Sequence, residues 1–203
     1  LQMDEKHMPR HRLILILACV VGLVVTAGLA MRAGVFRSEP PVPIGGPFQM
    51  VDQNGKPATE KVLKGKWSLV FFGFTYCPDV CPGPLQALSA ATDQLGPKAK
   101  DLQIVFVSVD PGRDTPEQMK TYLSNDFIPK STIGLTGTPE QVQVAAKAYK
   151  VYYAKSGEGP GYTMDHSTVT YLMDPKGRYK TVIPYGTPPD ESARRVGDAM
   201  REG

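Results

Sequence analysis

A chain of 203 residues, 41% of them apolar, can bury one ordinary core beside an anchor or tail but leaves little room for two domains. Its 23 Lys and Arg against 20 Asp and Glu give a net charge of +3, scattered with no basic stripe among aromatics, which argues against a nucleic-acid partner. Of the three cysteines one lies in an apolar run and two sit four residues apart; this excludes a small secreted disulfide framework and leaves one reactive or metal-binding pair.

Residues 1–12 read as a short cytoplasmic N-terminus. From Leu13 to Met31 nineteen residues carry no charge, which as a helix rising about 1.5 Å per residue roughly spans a ~30 Å hydrocarbon core. A cleaved signal peptide would have a shorter apolar core ending in an A-x-A-like site, and no clean site follows. Lys6, Arg10 and Arg12 precede the run while Arg32 and Arg37 follow it, so the positive-inside rule favours a transmembrane anchor with an exported C-terminal part. Cys19, inside the run, reads as an apolar helix residue. Residues 32–47 form a Pro/Gly-rich linker, with four prolines and two glycines between positions 37 and 47, suited to a stiff spacer. The domain then occupies residues 48–203.

Within it, Asn54-Gly55 marks an N-terminal β-hairpin. The continuous apolar run from Trp67 to Phe74 predicts a central strand covered on both faces. The cysteine segment follows, then a helix over about 84–95 that Gly96-Pro97 stops. Leu102 to Val109 predicts a second buried strand. Thr115-Pro116-Glu117 opens a helix to about Phe127, and Thr138-Pro139-Glu140 opens another to about Lys150; each Thr is the N-cap and each Pro the first helical residue. Residues 151–154 suit a short strand, 168–173 and 179–183 a hairpin around Asp174-Pro175-Lys176-Gly177, and 189–201 a terminal helix. This order predicts an α/β fold with a mixed sheet. The cysteine segment leaves the carboxyl end of the first long strand, where open α/β sheets carry their chemistry.

Cys77 and Cys81, four residues apart, come to one side if the chain between them makes a single turn. Pro82 and Pro84 keep a regular helix from running through Cys81, placing the pair on a tight loop that feeds the next helix. The N-terminal dipole of that helix favours thiolates. Soft thiolates at this spacing suit Cu(I) or a dithiol–disulfide couple, and the pair alone leaves both readings open. The flanking prolines and Asp79 weigh against two buried structural cysteines. His166 is the only histidine of residues 48–203 and stands immediately before the strand at 168–173. In a thioredoxin-like sheet the loop entering this strand lies against the cysteine loop and usually carries a cis-proline; here it reads Asp165-His166-Ser167. Two thiolates and an imidazole suit Cu(I), suit Cu(II) with an added oxygen ligand, and suit zinc with a fourth ligand. Asp79 and Asp165 flank these residues as groups able to orient His166 or tune the thiolates, or as turn residues. Met164 reads as packing, and Asp110 with Arg113 as an ion pair shaping the site.

FTYCPDVCP at 74–82, VSVDPGRDTP at 107–116 and DHSTVTYLMD at 165–174 occur in that order. On these three motifs the chain resembles the Sco/SenC family of copper-binding proteins, which assist assembly of the dinuclear copper centre of cytochrome c oxidase. The resemblance covers the anchor and essentially all of residues 48–201. It implies a thioredoxin fold, an extracytoplasmic location and copper bound by Cys77, Cys81 and His166. It further implies the copper-bearing subunit of cytochrome c oxidase and other copper chaperones as partners, and a second role for Cys77 and Cys81 as a redox pair acting on the oxidase's cysteines. With no Arg- and Ser-rich transit peptide, a bacterial inner membrane with the domain in the periplasm is expected. Three functions follow from these residues: a copper metallochaperone, a thiol–disulfide oxidoreductase in which His166 tunes the cysteines, and a copper or redox sensor.

Overall fold

The computed structural model describes residues 10–32, 43–76 and 82–202. The chain divides into two compact units, Leu1–Val42 and Pro43–Gly203. The first contains helix α1 (Arg10–Arg32), whose residues 14–25 are apolar and exposed, Leu23 at 71% and Ile14 at 68%. Among the described residues no helix is long and apolar enough to cross a membrane.

In the second unit β1 (Gln49–Asp52) and β2 (Pro57–Thr59) form the expected hairpin, with Gly55 at φ +73° in its turn. There follow a 3-10 turn (Glu60–Leu63), β3 (Trp67–Gly73), α2 (Pro82–Gln94), a second 3-10 turn (Gly96–Asp101) and β4 (Leu102–Ser108). Next come α3 (Pro116–Leu123), β5 (Ile133–Thr136), α4 (Pro139–Tyr149), β6 (Tyr153–Ser156) and β7 (Thr163–His166). The chain closes with β8 (Thr170–Met173), β9 (Tyr179–Ile183) and α5 (Pro189–Glu202).

Seven strands form one sheet in the order β2-β1-β5-β4-β3-β8-β9. The β3–β4 and β4–β5 pairs are parallel and the rest antiparallel, so the sheet is mixed as predicted. All seven residues of β3 and of β4 are buried, because successive side chains point to opposite faces and both faces are covered. On one face Val70, Phe72, Phe74, Val105 and Val107 pack with Val142, Ala145 and Tyr149 of α4. On the other Leu69, Phe71, Ile104 and Phe106 pack with Leu85 and Leu88 of α2, Met119 and Leu123 of α3, and Val196 of α5.

β5 and β7 have no counterpart in the sequence reading, and several predicted elements differ from it in bounds or pairing. α2 starts at Pro82 rather than near 84; a proline in the first turn sacrifices no helical hydrogen bond, since those N–H groups have no intrahelical partner. α3 ends at Leu123 rather than Phe127, where Ser124 Oγ and Asn125 Nδ2 donate to the carbonyls of Thr121 and Tyr122 at 2.7 Å each; such side chains compete with helix continuation. The strand expected at 151–154 is β6 at 153–156, which leaves the main sheet and pairs antiparallel with β7, Tyr153 opposite His166.

Candidate metal centre

The apolar run that makes β3 carries the chain to the carboxyl edge of the sheet. Beyond Gly73, Phe74 and Thr75 remain buried and Tyr76 emerges at 51% exposure. Cys77, Asp79 and Cys81 lie outside the described residues, in the five-residue connection from Tyr76 to Pro82 of α2.

His166 is the sequence-derived ligand that the structure does place. It sits at the end of β7, on a strand rather than in the loop the sequence suggested. Its ring meets the edges of Phe74 at 5.9 Å and Phe71 at 6.2 Å between centroids, at 89° and 74°. The imidazole therefore rests on the aromatic residue three positions before Cys77. Nδ1 lies 2.9 Å from the Ser167 carbonyl oxygen. A carbonyl can only accept, so Nδ1 carries the hydrogen and Nε2 of the neutral ring carries the lone pair. Ser167 is itself held, its N–H donating to Tyr152 O at 2.9 Å while its Oγ accepts from Tyr152 N at 3.0 Å. Burial pushes the His166 pKa below the ordinary histidine value, against the Ser167 hydrogen bond and the Asp165 charge, which both raise it. At neutral pH the ring is therefore neutral, the form that binds a metal. Asp165 is exposed on the other face of β7 and acts on His166 by charge, while His166 Nδ1–H donates to the Ser167 carbonyl. Met164, on the same side of β7 as His166, packs against the core.

The segment after β4 supplies the rest of the site. Arg113 Nε bonds Asp110 Oδ2 at 2.5 Å, the ion pair anticipated from the motif. The guanidinium also donates from Nη1 to Tyr162 O at 2.9 Å, with its carbon 3.6 Å from the Tyr162 ring centroid, 5.0 Å from that of Tyr76 and 5.8 Å from that of Phe74. Tyr162 Oη donates to Asp110 Oδ1 at 2.7 Å. Burial first, and then this bond to a carboxylate, raise the Tyr162 pKa above the usual phenol value, with Arg113 pulling the other way.

Sequence reasoning missed Asp114 and Thr75. Asp114 is fully buried, and its carboxylate accepts from Thr75 N at 3.1 and 3.2 Å, Thr75 Oγ1 at 2.7 Å and Ser108 Oγ at 2.6 Å. Gln118 Nε2 donates to Thr75 Oγ1 at 3.1 Å. The available signal was a second acidic residue at the helix entry of the 107–116 motif, which cap chemistry at Thr115 explains equally well.

A family model described as SCO1/SenC matches residues 37–201. The chain belongs to the SCO1/SenC family. Among SCO1/SenC relatives, the protein named "Protein SCO1 homolog 1, mitochondrial" of Arabidopsis thaliana is 49% identical over 135 residues. That match covers 66% of this chain and 40% of the relative, so the chain spans well under half of that relative's length. The crystal structure of Arabidopsis thaliana ScoI with copper bound matches at TM-score 0.74 and 41% identity, over 79% of this chain and 99% of that one. BsSco, described with a disulfide switch and as a member of the Sco family of cytochrome c oxidase assembly proteins, matches at TM-score 0.62 and 27% identity over 80% of this chain and 96% of its own. The SCO1/SenC fold is thus shown: a thioredoxin-like α/β fold with a mixed sheet.

Proposed function

We propose that this SCO1/SenC protein is a copper metallochaperone that holds its cargo through Cys77, Cys81 and His166. Its acceptor is the copper-bearing subunit of cytochrome c oxidase, to which it delivers copper or whose thiols it prepares, with other copper chaperones upstream. The observation that carries this reading is the placement of His166: Nδ1 lies 2.9 Å from Ser167 O, and the ring makes a T-shaped contact with Phe74, three residues before Cys77. A relative at 41% identity whose structure holds copper supports the choice of metal. Two thiolates and one imidazole form a low-coordinate, soft donor set matched to Cu(I). A site with so few ligands at a sheet edge releases its ion by stepwise ligand exchange.

A second reading has its own support. Cys77 and Cys81 also suit a dithiol–disulfide couple, and BsSco carries a disulfide switch. In that reading the pair reduces the acceptor's cysteines and His166 tunes the thiols. For location, we infer that α1 anchors the protein in a bacterial inner membrane with the domain in the periplasm. The exposed apolar residues 14–25 and the basic residues around the run support this.

Anaerobic Cu(I) titration of the full chain tests the first reading. Wild type binds one equivalent, His166→Ala binds at least about tenfold more weakly, and Cys77→Ser or Cys81→Ser loses stoichiometric binding. Unchanged affinity in His166→Ala removes the three-ligand site. Loss of reductase activity in the cysteine variants alone, with copper binding absent from wild type, moves the function to the oxidoreductase.

A further inference from the structure

We propose that Asp110, Arg113 and Asp114, in the segment joining β4 to α3, bracket the site, with Arg113 as its pin. The bracket sets His166 at a fixed distance from the strand that leads to Cys77. Its consequence for copper rests on the function proposed above; the bracket itself does not.

The ribbon carrying His166 needs such a device. β6 and β7 have four residues each and form a two-stranded sheet of their own, separate from the seven-stranded one. A lone two-stranded ribbon is marginal in water, so side-chain contacts must fix its orientation. Met164 and Tyr153 pack it against the core, and Arg113 adds polar contacts to it. Its guanidinium lies 3.6 Å from the ring of Tyr162, four residues before His166, and 5.0 Å from the ring of Tyr76, the residue before Cys77. The same group donates to the ribbon backbone at Tyr162 O, and Tyr162 Oη returns a hydrogen bond to Asp110, the carboxylate already paired with Arg113. One planar cation thus touches an aromatic from each half of the site while its edge makes two directed hydrogen bonds. A lysine, a point charge without planar faces, lacks this combination. The side chains are 16% exposed for Arg113 and 5% for Asp110, so solvent screens the pair little.

The other arm starts one residue on. Asp114 grips Thr75 through backbone N–H and hydroxyl, and Ser108 Oγ, which donates to Asp114, accepts from Asp110 N at 3.0 Å. Asp114 therefore holds Thr75, just beyond the end of β3, while Arg113 and Asp110 hold the histidine ribbon. Arg113, Asp110 and Tyr162 are positioning residues.

Hydrogen exchange on the metal-free full chain, compared with Cu(I) affinity, tests this. In Arg113→Gln the amides bonded between β6 and β7 exchange at least about tenfold faster, while those of β3 and β4 keep the wild-type rate. Cu(I) affinity falls about tenfold or more, as for other groups that support a ligand. In a His166→Ala background the same substitution changes affinity less than about twofold, because the ligand it positions is gone. Tyr162→Phe, which keeps the ring and removes only the bond to Asp110, shifts exchange and affinity in the same direction by less, and carries the test should Arg113→Gln not fold. Unchanged ribbon exchange in both variants overturns the bracket. So does a loss of affinity that adds in full to that of His166→Ala, since Arg113 would then act on the thiolates. Faster ribbon exchange in a protein whose wild type binds no copper upholds the bracket and removes the copper reading instead.

Discussion

Replacing Asp114 with alanine tests how firmly the chain is held just beyond β3, where it leads toward Cys77. The wild-type carboxylate is fully buried and satisfies Thr75 N, Thr75 Oγ1 and Ser108 Oγ, a contact spanning 39 residues of sequence to Thr75. Alanine leaves these three donors in the interior without their acceptor. Each buried orphan costs about 1–3 kcal/mol, and release of a desolvated carboxylate returns part of it, so the net loss is about 3 kcal/mol. For a unit of this size that lowers Tm by about 6–12 °C. Chemical denaturation of wild type and Asp114→Ala at neutral pH measures it as a lower midpoint at constant m-value. The pH dependence provides a second check. Burial, the largest influence, raises the Asp114 pKa in spite of the hydrogen bonds from Ser108 and Thr75 that lower it. A carboxyl whose folded pKa exceeds its unfolded value of about 3.9 contributes fully below that value, and the contribution declines as pH rises through the folded one. The stability of wild type relative to Asp114→Asn therefore falls across that window. A loss under about 1 kcal/mol in Asp114→Ala, or a wild-type advantage that grows with pH, refutes the reasoning.

Gly134→Ala lowers the urea midpoint by the equivalent of about 1–3 kcal/mol, because the new methyl would stand 2.7 Å from Leu123 Cδ1 and still closer to Met119 Cγ; an unchanged midpoint counts against the packing of α3 on β5. Thr138→Ala costs about 1 kcal/mol through loss of the capping box at α4, in which Thr138 Oγ1 accepts from Gln141 N and Gln141 Oε1 from Thr138 N; equal thermal stability would show the cap to be dispensable. Asp174→Asn costs about 1 kcal/mol at neutral pH, a figure kept small because Arg178 is 65% exposed. Burial would raise the Asp174 pKa, but hydrogen bonds from Arg178 and Lys176 outweigh it and hold the carboxyl below its ordinary value. Its contribution is therefore present above about pH 3.9 and lost as pH falls through the folded pKa, so the two denaturation series converge in acid; a gap that persists there contradicts the assignment.

Features whose causes are local were legible in the sequence. Thr115 and Thr138 cap helices through bonds to residues three positions on, and the apolar runs of β3 and β4 announce strands buried on both faces. β5 was not legible, since Ile133–Thr136 is short, contains a glycine, and becomes a strand by pairing with β4 and β1. β7 escaped for a related reason: Thr163–His166 has no fully buried residue, and β7 pairs with β6 outside the main sheet. At the site the identity of His166 was readable because no other histidine competes within the domain, but its orientation was not. The sequence offered Asp79 and Asp165 for that role; Asp79 lies outside the described residues, and the Ser167 carbonyl accepts from the ring. The Asp110–Arg113 pair was legible at a spacing of three residues; Tyr162, which closes around it, is 52 residues from Asp110.

X-ray absorption at the copper edge of the Cu(I)-loaded full chain tests the central claim most directly. The account predicts two sulfur ligands and one nitrogen in wild type, loss of the nitrogen in His166→Ala, and loss of a sulfur in Cys77→Ser or Cys81→Ser. A nitrogen ligand that survives in His166→Ala, or a copper environment without sulfur, would contradict it.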